Sequence, residues 1–195
     1  DKINWITDND LYYNSENKEC LSKILAMKVL TNWVISVKDD PVEDIETLSK
    51  PILSMLSSFI NRGGEIVPTE DTPSNFCSRL RLYAGIQLLK ISQISVYDPF
   101  IDQRRINRLI LLIQDVELQV RSKFLTKLKK RLTQNRISKR FLSLIFFSAH
   151  EPDLTLKSET ITWITASFAK QNHSNKNTMD FEKSYIRLLY MLAIH

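Results

Sequence analysis

Residues 111–132 read LLIQDVELQVRSKFLTKLKKRL, and the way their apolar and basic positions separate decides how the chain is built. Val120, Phe124, Leu128 and Leu132 recur at four-residue steps and form one apolar helix stripe, while Lys and Arg fill much of the rest of the surface. The spacing predicts a helix over 118–132. Asp115 lies in the turn just ahead of it, where a carboxylate accepts free N–H groups and sits at the positive end of the helix dipole. Asp115 is therefore expected to cap this helix.

Working outward, FCSRLRLYAGIQLLKIS at 76–92 carries Leu80, Leu82, Tyr83, Ile86, Leu88, Leu89 and Ile91, which leave almost no wholly polar face. A helix apolar nearly all round is one enclosed by neighbours. Gly85 in its middle costs about 1 kcal/mol relative to Ala, a penalty that suits close approach of a neighbouring backbone. Further patterns predict helices over roughly 19–37, 42–61, 101–114, 138–149, 156–170 and 181–194. Pro51 should break or kink the second of these, because it lacks an N–H and crowds the preceding turn. Arg62-Gly63-Gly64 reads as that helix's stop, EIVPTEDTPSN at 65–75 as a loop, and NDLYYNSENK at 9–18 as a polar opening segment.

In this pattern every second helix start recurs at roughly 40 residues, the spacing of helix-pair repeats of the HEAT and armadillo kind. Three glycines and six prolines in 195 residues are too few turn formers for a sheet-rich fold. The expectation is an all-α chain, a HEAT-type α-solenoid of about four helix pairs. Residues 1–195 read as one helical-repeat segment, and the close within apolar MLAIH at 191–195 suits a piece of a longer polypeptide.

Several function classes are disfavoured by what the chain lacks. No apolar run approaches the ~20 residues that cross a bilayer, so no membrane role is expected. Cys20 and Cys77 are too sparse for a disulfide framework and suit a reducing compartment. His150, His173 and His195 are scattered, and neither cysteine has a partner at metal-ligand spacing, so no metal ligands are assigned. The Gly-rich loops that cradle phosphates are absent. Carboxylates at Asp39-Asp40 and Glu43-Asp44 fall in a polar connector and read as solvated surface rather than a catalytic pair. The chain is expected to be non-enzymatic, with no cofactor and no small-molecule substrate.

The charge is distributed unevenly. Residues 72–150 hold fifteen Lys or Arg against four Asp or Glu, whereas the remainder of the chain is net acidic. From Leu118 to His150 there are nine bases and no acid: Arg121, Lys123, Lys127, Lys129, Lys130, Arg131, Arg136, Lys139 and Arg140. Intrahelical pairing does not account for such a balance. All but Arg121 are candidates for contact with a partner or with DNA. Three readings stay open: a solvated face, docking of an acidic protein segment, and salt-sensitive contact with DNA phosphates. Trp33, Tyr83 and Tyr97 are the candidate aromatic anchors for a partner; Trp5 and Trp163 read as core or helix-end packing.

Asp115 followed by Val120 and Arg121 resembles the second-helix signature of HEAT repeats, which implies that Asp115 and Arg121 make structural contacts between adjacent repeats. A narrower resemblance covers nearly the whole chain. SRLRLYAGIQLLKISQ (78–93), Tyr97, IQDVELQVRSKFLTKLKKRL (113–132) and FFSAHEP (146–152), with AMKVLTNWV (26–34) and LLYMLAIH (188–195), are similar to the late helical repeats of the "precocious dissociation of sisters" family of sister-chromatid-cohesion regulators. The chain departs from that family in the loop after Gly64 and in the polar run QNHSNKNT at 171–178. The resemblance implies a HEAT-repeat scaffold in the nucleus, associated with chromosomes. It would bind the kleisin subunit of cohesin and act with other cohesin regulators to maintain or release cohesion.

Overall fold

Short polar side chains open most of the helices, and apolar stripes between them supply the packing. The computed structural model describes residues 4–39, 44–67, 71–173 and 179–193. α1 (Asp8–Tyr13) starts at Thr7, whose hydroxyl accepts from the Asp10 N–H at 3.1 Å and donates to the Asp10 carboxylate at 2.6 Å. This cap lies just ahead of the segment read as a polar opening, and its T-x-x-D signal is visible in the sequence. There follow α2 (Lys18–Ser36), α3 (Ile45–Asn61), α4 (Ser74–Ile91), α5 (Gln103–Arg108), α6 (Ile110–Ile113), α7 (Leu118–Thr133), α8 (Leu154–His173) and α9 (Met179–Ala193), with 3₁₀ segments at Ser15–Asn17, Ser95–Phe100 and Lys139–His150. Among the described residues there is no strand. The chain is all-α.

Two layers result. In the first, α2 packs on α4, α4 on α7 and α7 on α8; in the second, α3 meets α5 and α6, α6 meets the 139–150 segment, and that segment meets α9. Along the sequence this gives four successive pairs, α2 with α3, α4 with α5 and α6, α7 with the 139–150 segment, and α8 with α9. The first-layer starts at 18, 74, 118 and 154 are wider at first than the expected period, because long connectors flank α3. α4 lies at the centre, packed on by α2, α3, α6 and α7, and Leu80, Leu82, Leu88, Leu89 and Ile91 are buried in consequence.

Four local expectations change. Of the break or kink expected at Pro51, the break does not occur: α3 runs on through it, and Thr47, whose carbonyl loses its helical partner there, and Pro51 both lie on the exposed side. The helix expected over 101–114 is divided at Leu109 into α5 and α6, with three-residue-back bonds from Leu109 to Ile106 and from Leu112 to Leu109. The segment expected as a helix over 138–149 winds as 3₁₀. Three residues per turn align Phe141, Leu144 and Phe147 on one edge and Leu142, Ile145 and Ser148 on the next, and all six are buried. Gly85 faces side chains rather than a backbone: a Cβ there would strike Leu112 and press on the Phe124 ring.

The stop after α3 is as expected. Gly63 and Gly64 take φ of 68° and 114°, and their N–H groups return to Ile60 and Phe59 at 3.3 and 2.8 Å, closing a Schellman motif. Asp40, Pro41 and Glu43 in the first connector, and His195, fall outside the described residues.

Candidate functional site

The arginines of the central pairs point toward the turns that join the layers. Arg81 on α4 donates from Nε and one Nη to the two oxygens of Asp115 at 2.5 and 2.8 Å, and from the other Nη to the Gly63 carbonyl at 3.1 Å. One guanidinium therefore ties the end of α3 to the turn before α7. Asp115 also accepts from the Glu117 N–H at 2.8 Å, but it does not cap α7: Glu117 is the cap, accepting from the Gln119 N–H at 3.2 Å. Asp115 is spent on Arg81 instead, since a forked guanidinium satisfies both carboxylate oxygens at once.

The next junction repeats the device. Arg121 on α7 binds the Glu151 carboxylate from Nε and one Nη at 2.9 to 3.1 Å, and its remaining nitrogen reaches the carbonyls of Asp115 at 2.7 Å and Val116 at 3.2 Å. Glu151 in turn accepts from the Asp153 N–H at 3.0 Å, beside the start of α8. Arg121, Asp115 and Glu151 are all buried. Two clefts of about 530 and 450 Å³ flank these turns and share Gln114, Asp115 and Val116. Between them Val116 is 91% exposed.

The basic candidates divide by the side of the helix they occupy. Arg131 turns toward α4 and donates to the Ile86 carbonyl at 3.1 Å, where burial pulls its pKa down to about 10. Lys129 turns toward α8 and donates to the Thr160 hydroxyl at 3.3 Å, and burial lowers its pKa as well. Arg140 is held by the carbonyl and carboxylate of Asp98 at 3.0 and 2.8 Å. Lys123 reaches the Asp8 carboxylate at 3.2 Å. That leaves Lys127, Lys130 and Arg136 exposed and Lys139 half-buried, all four without a side-chain hydrogen bond or ion pair among the described residues. The sequence's single basic stripe is thus two populations.

A feature not legible from local pattern lies across the first layer. The segment before α1 sets Trp5 against Arg79, with the guanidinium carbon 4.5 Å from the ring centroid and the Lys123 ammonium at 5.5 Å. Asp8 bridges the same two bases, contacting Arg79 on α4 and Lys123 on α7. Chiefly because Arg79 donates to it, the Asp8 carboxyl is held below the usual carboxylate range. Arg79 is itself only 1% exposed. Lys28 on α2 completes the cluster, 4.9 Å from the Tyr83 centroid and within hydrogen-bond reach of the Tyr12 hydroxyl at 3.3 Å. The sequence signal was weak, because Arg79 lies more than sixty positions from Trp5 and Asp8 and shares no motif with them.

The aromatic candidates also separate. Tyr97 is fully buried, its hydroxyl donating to the Val34 carbonyl, and so offers nothing to a partner. Trp33 remains 44% exposed on α2, in line with exposed Leu25 and Val29. Tyr83 is half-buried under Lys28 and Arg79. Trp163 is half-buried, packs at the core edge and donates from Nε1 to the Thr133 hydroxyl at 3.0 Å. Cys20 is buried, which raises its thiol to about 11, and Cys77 is half-buried; both are free. Among the described residues no group of three or more His, Cys, Asp or Glu is placed to hold a metal ion. None of their helices is long and apolar enough to cross a membrane.

Comparison with known proteins agrees with this architecture. A family model described as "Sister chromatid cohesion protein PDS5 protein" matches residues 1–195. The chain is 34% identical over 201 residues to Sister chromatid cohesion protein PDS5 of Saccharomyces cerevisiae, covering 100% of this chain and 16% of that protein. It is 28% identical over 183 residues to Sister chromatid cohesion protein pds5 of Schizosaccharomyces pombe, covering 94% and 15%. With PDS5 homolog A of Homo sapiens the identity is 26% over 148 residues, covering 76% and 10%. The chain spans between 10 and 16% of the length of these relatives.

Proposed function

The chain belongs to the PDS5 family of sister chromatid cohesion proteins, and from that premise we propose that it acts as a non-catalytic repeat scaffold that binds the kleisin subunit of cohesin. Its setting is the nucleus, on chromosomes, alongside other cohesin regulators. The observation that carries this reading is the interlocking of successive pairs. Arg81 with Asp115 fastens the second pair to the third, and Arg121 with Glu151 the third to the fourth, through two-point contacts whose carboxylates are buried. The stack formed by the second, third and fourth pairs supplies a pre-organised surface, and pre-organisation lowers the ordering cost that an extended partner segment meets on docking. The proposed activity is presentation and positioning.

A second reading, contact with DNA phosphates, is favoured by the exposed and unpaired Lys127, Lys130 and Arg136. The two are separated by titrating the chain with the amino-terminal half of the matching kleisin and, in parallel, with a random DNA duplex, at low and moderate salt. Saturable kleisin binding that survives moderate salt is the expected result. Binding to DNA alone, falling steeply as salt rises, would replace the scaffold reading with the phosphate one.

A further inference from the structure

α7 turns three lysines outward in one line. Lys123, Lys127 and Lys130 stand at i, i+4 and i+7, on the side opposite buried Leu125, Leu128 and Leu132. Beside the last of them, a cleft of about 370 Å³ opens between α7 and α8, lined by Thr126, Lys129, Lys130, Thr133, Glu159 and Trp163 among others. Its walls are held in place. Trp163 is anchored through its indole N–H to Thr133, and Lys129 through its ammonium to Thr160. The indole ring therefore lines the opening with its polar atom already satisfied.

At the first turn of the same helix, the face already holds a segment from elsewhere in the chain. Asp8 sits between Arg79 and Lys123, and Trp5 lies against both of these bases. An acidic side chain three positions from an apolar one is thus the chemistry that this face accepts from its own chain. One turn further along, Lys127 and Lys130 offer the same charge and the cleft offers an apolar wall, with no segment of the described chain laid over them.

We propose that the outward face of α7, with the cleft it shares with α8, docks an acidic protein segment whose carboxylates meet Lys127 and Lys130 and whose apolar side chain enters the cleft against Trp163. The proposal rests on the scaffold reading and names the part of the scaffold that receives a partner. Complementary charge steers and orients such a segment, while one buried side chain supplies the anchor. A nucleic-acid backbone matches the lysines but has nothing apolar to place in the cleft, and Glu159 at the rim repels phosphate.

The test uses fluorescence anisotropy with a short labelled peptide of Glu and Ser carrying one central Leu. The controls are the same peptide with Ser for Leu and a random DNA duplex. The Leu-containing peptide should bind saturably and the Leu-free one more weakly. Charge reversal at Lys127→Glu with Lys130→Glu should weaken the acidic peptide roughly tenfold, and Thr126→Phe, which fills the cleft without altering charge, should weaken only the Leu-containing peptide. Both variants should keep the wild-type circular dichroism and melting temperature. Unchanged peptide affinity in both folded variants overturns the proposal, as does duplex binding that the charge reversal alone abolishes while neither peptide binds. The kleisin arm tells the two readings apart. Equal kleisin binding by wild type and both variants removes the cleft and leaves the scaffold, whereas peptide binding without kleisin binding keeps the cleft and removes the kleisin.

Discussion

Arg121 and Lys130 belong to one helix and to one run of bases, yet they sit in opposite surroundings. Arg121 is buried at the turn edge, its guanidinium divided between the Glu151 carboxylate and two carbonyls. Lys130 stands on the outward face with no partner among the described residues. Both carry one positive charge. What separates them is which side of α7 each occupies and whether an acid from a later element comes within reach. Basic residues in this chain therefore do two jobs, fastening one pair to the next and remaining free at the surface, and net charge conflates them.

The largest effect should come from breaking the fastened side. Arg121→Ala leaves Glu151 buried without its counter-charge and strips two carbonyls of a donor, so a loss of about 3–5 kcal/mol is expected in urea unfolding. Adding Glu151→Gln to that variant should recover part of the loss, because the unpaired charge rather than the missing contact carries most of the penalty. A smaller change, Arg81→Lys, keeps the charge but replaces the fork that spans Asp115 and Gly63, and should cost about 1–2 kcal/mol by the same measurement.

The contact of Trp5 and Asp8 with Arg79 and Lys123 lies between the two extremes, and pH is the means to probe it. Because Asp8 is held below the usual carboxylate range, its contribution is fully present above the ordinary carboxylate pKa and is lost as pH falls through the depressed value. Trp5 emission, followed in a chain with Phe at positions 33 and 163, should therefore change on acidification while the helical circular dichroism holds. Asp8→Asn should remove that acid transition at once. Smallest of all, Lys127→Ala with Lys130→Ala should move stability by no more than about 0.5 kcal/mol, since neither side chain touches a partner. A larger loss would show that the outward face also fastens the fold.

Much of this architecture is readable before any coordinates are known. The stripe through Val120, Phe124, Leu128 and Leu132 is buried throughout, and the apolar girth of α4 corresponds to its central position. Glycines at 63 and 64 ended α3 where a left-handed stop was expected, because only a residue lacking Cβ takes those φ values at low cost. Misreadings came where two periods or two caps were locally equivalent. Over the short run at 139–150, apolar positions satisfy three residues per turn as well as 3.6, and packing on both edges favours the tighter winding. Asp115 and Glu117 each carry a carboxylate near the free N–H groups of α7, and Arg81, thirty-four positions before Asp115, engages that of Asp115.

By itself the sequence determined the all-α class, the number of pairs, the core stripe of α7 and the excess of positive charge, because periodicity and composition act over one or two helical turns. Only the tertiary structure decided which of those charges are available. Arg131 and Lys129 are drawn inward by a carbonyl and a hydroxyl, Lys123 is met by Asp8 from the far end of the chain, and Lys127 and Lys130 are met by nothing in the described chain. Whether a charged side chain finds a partner depends on which helices stack beside it, and that is a property of the assembled layers rather than of any local pattern.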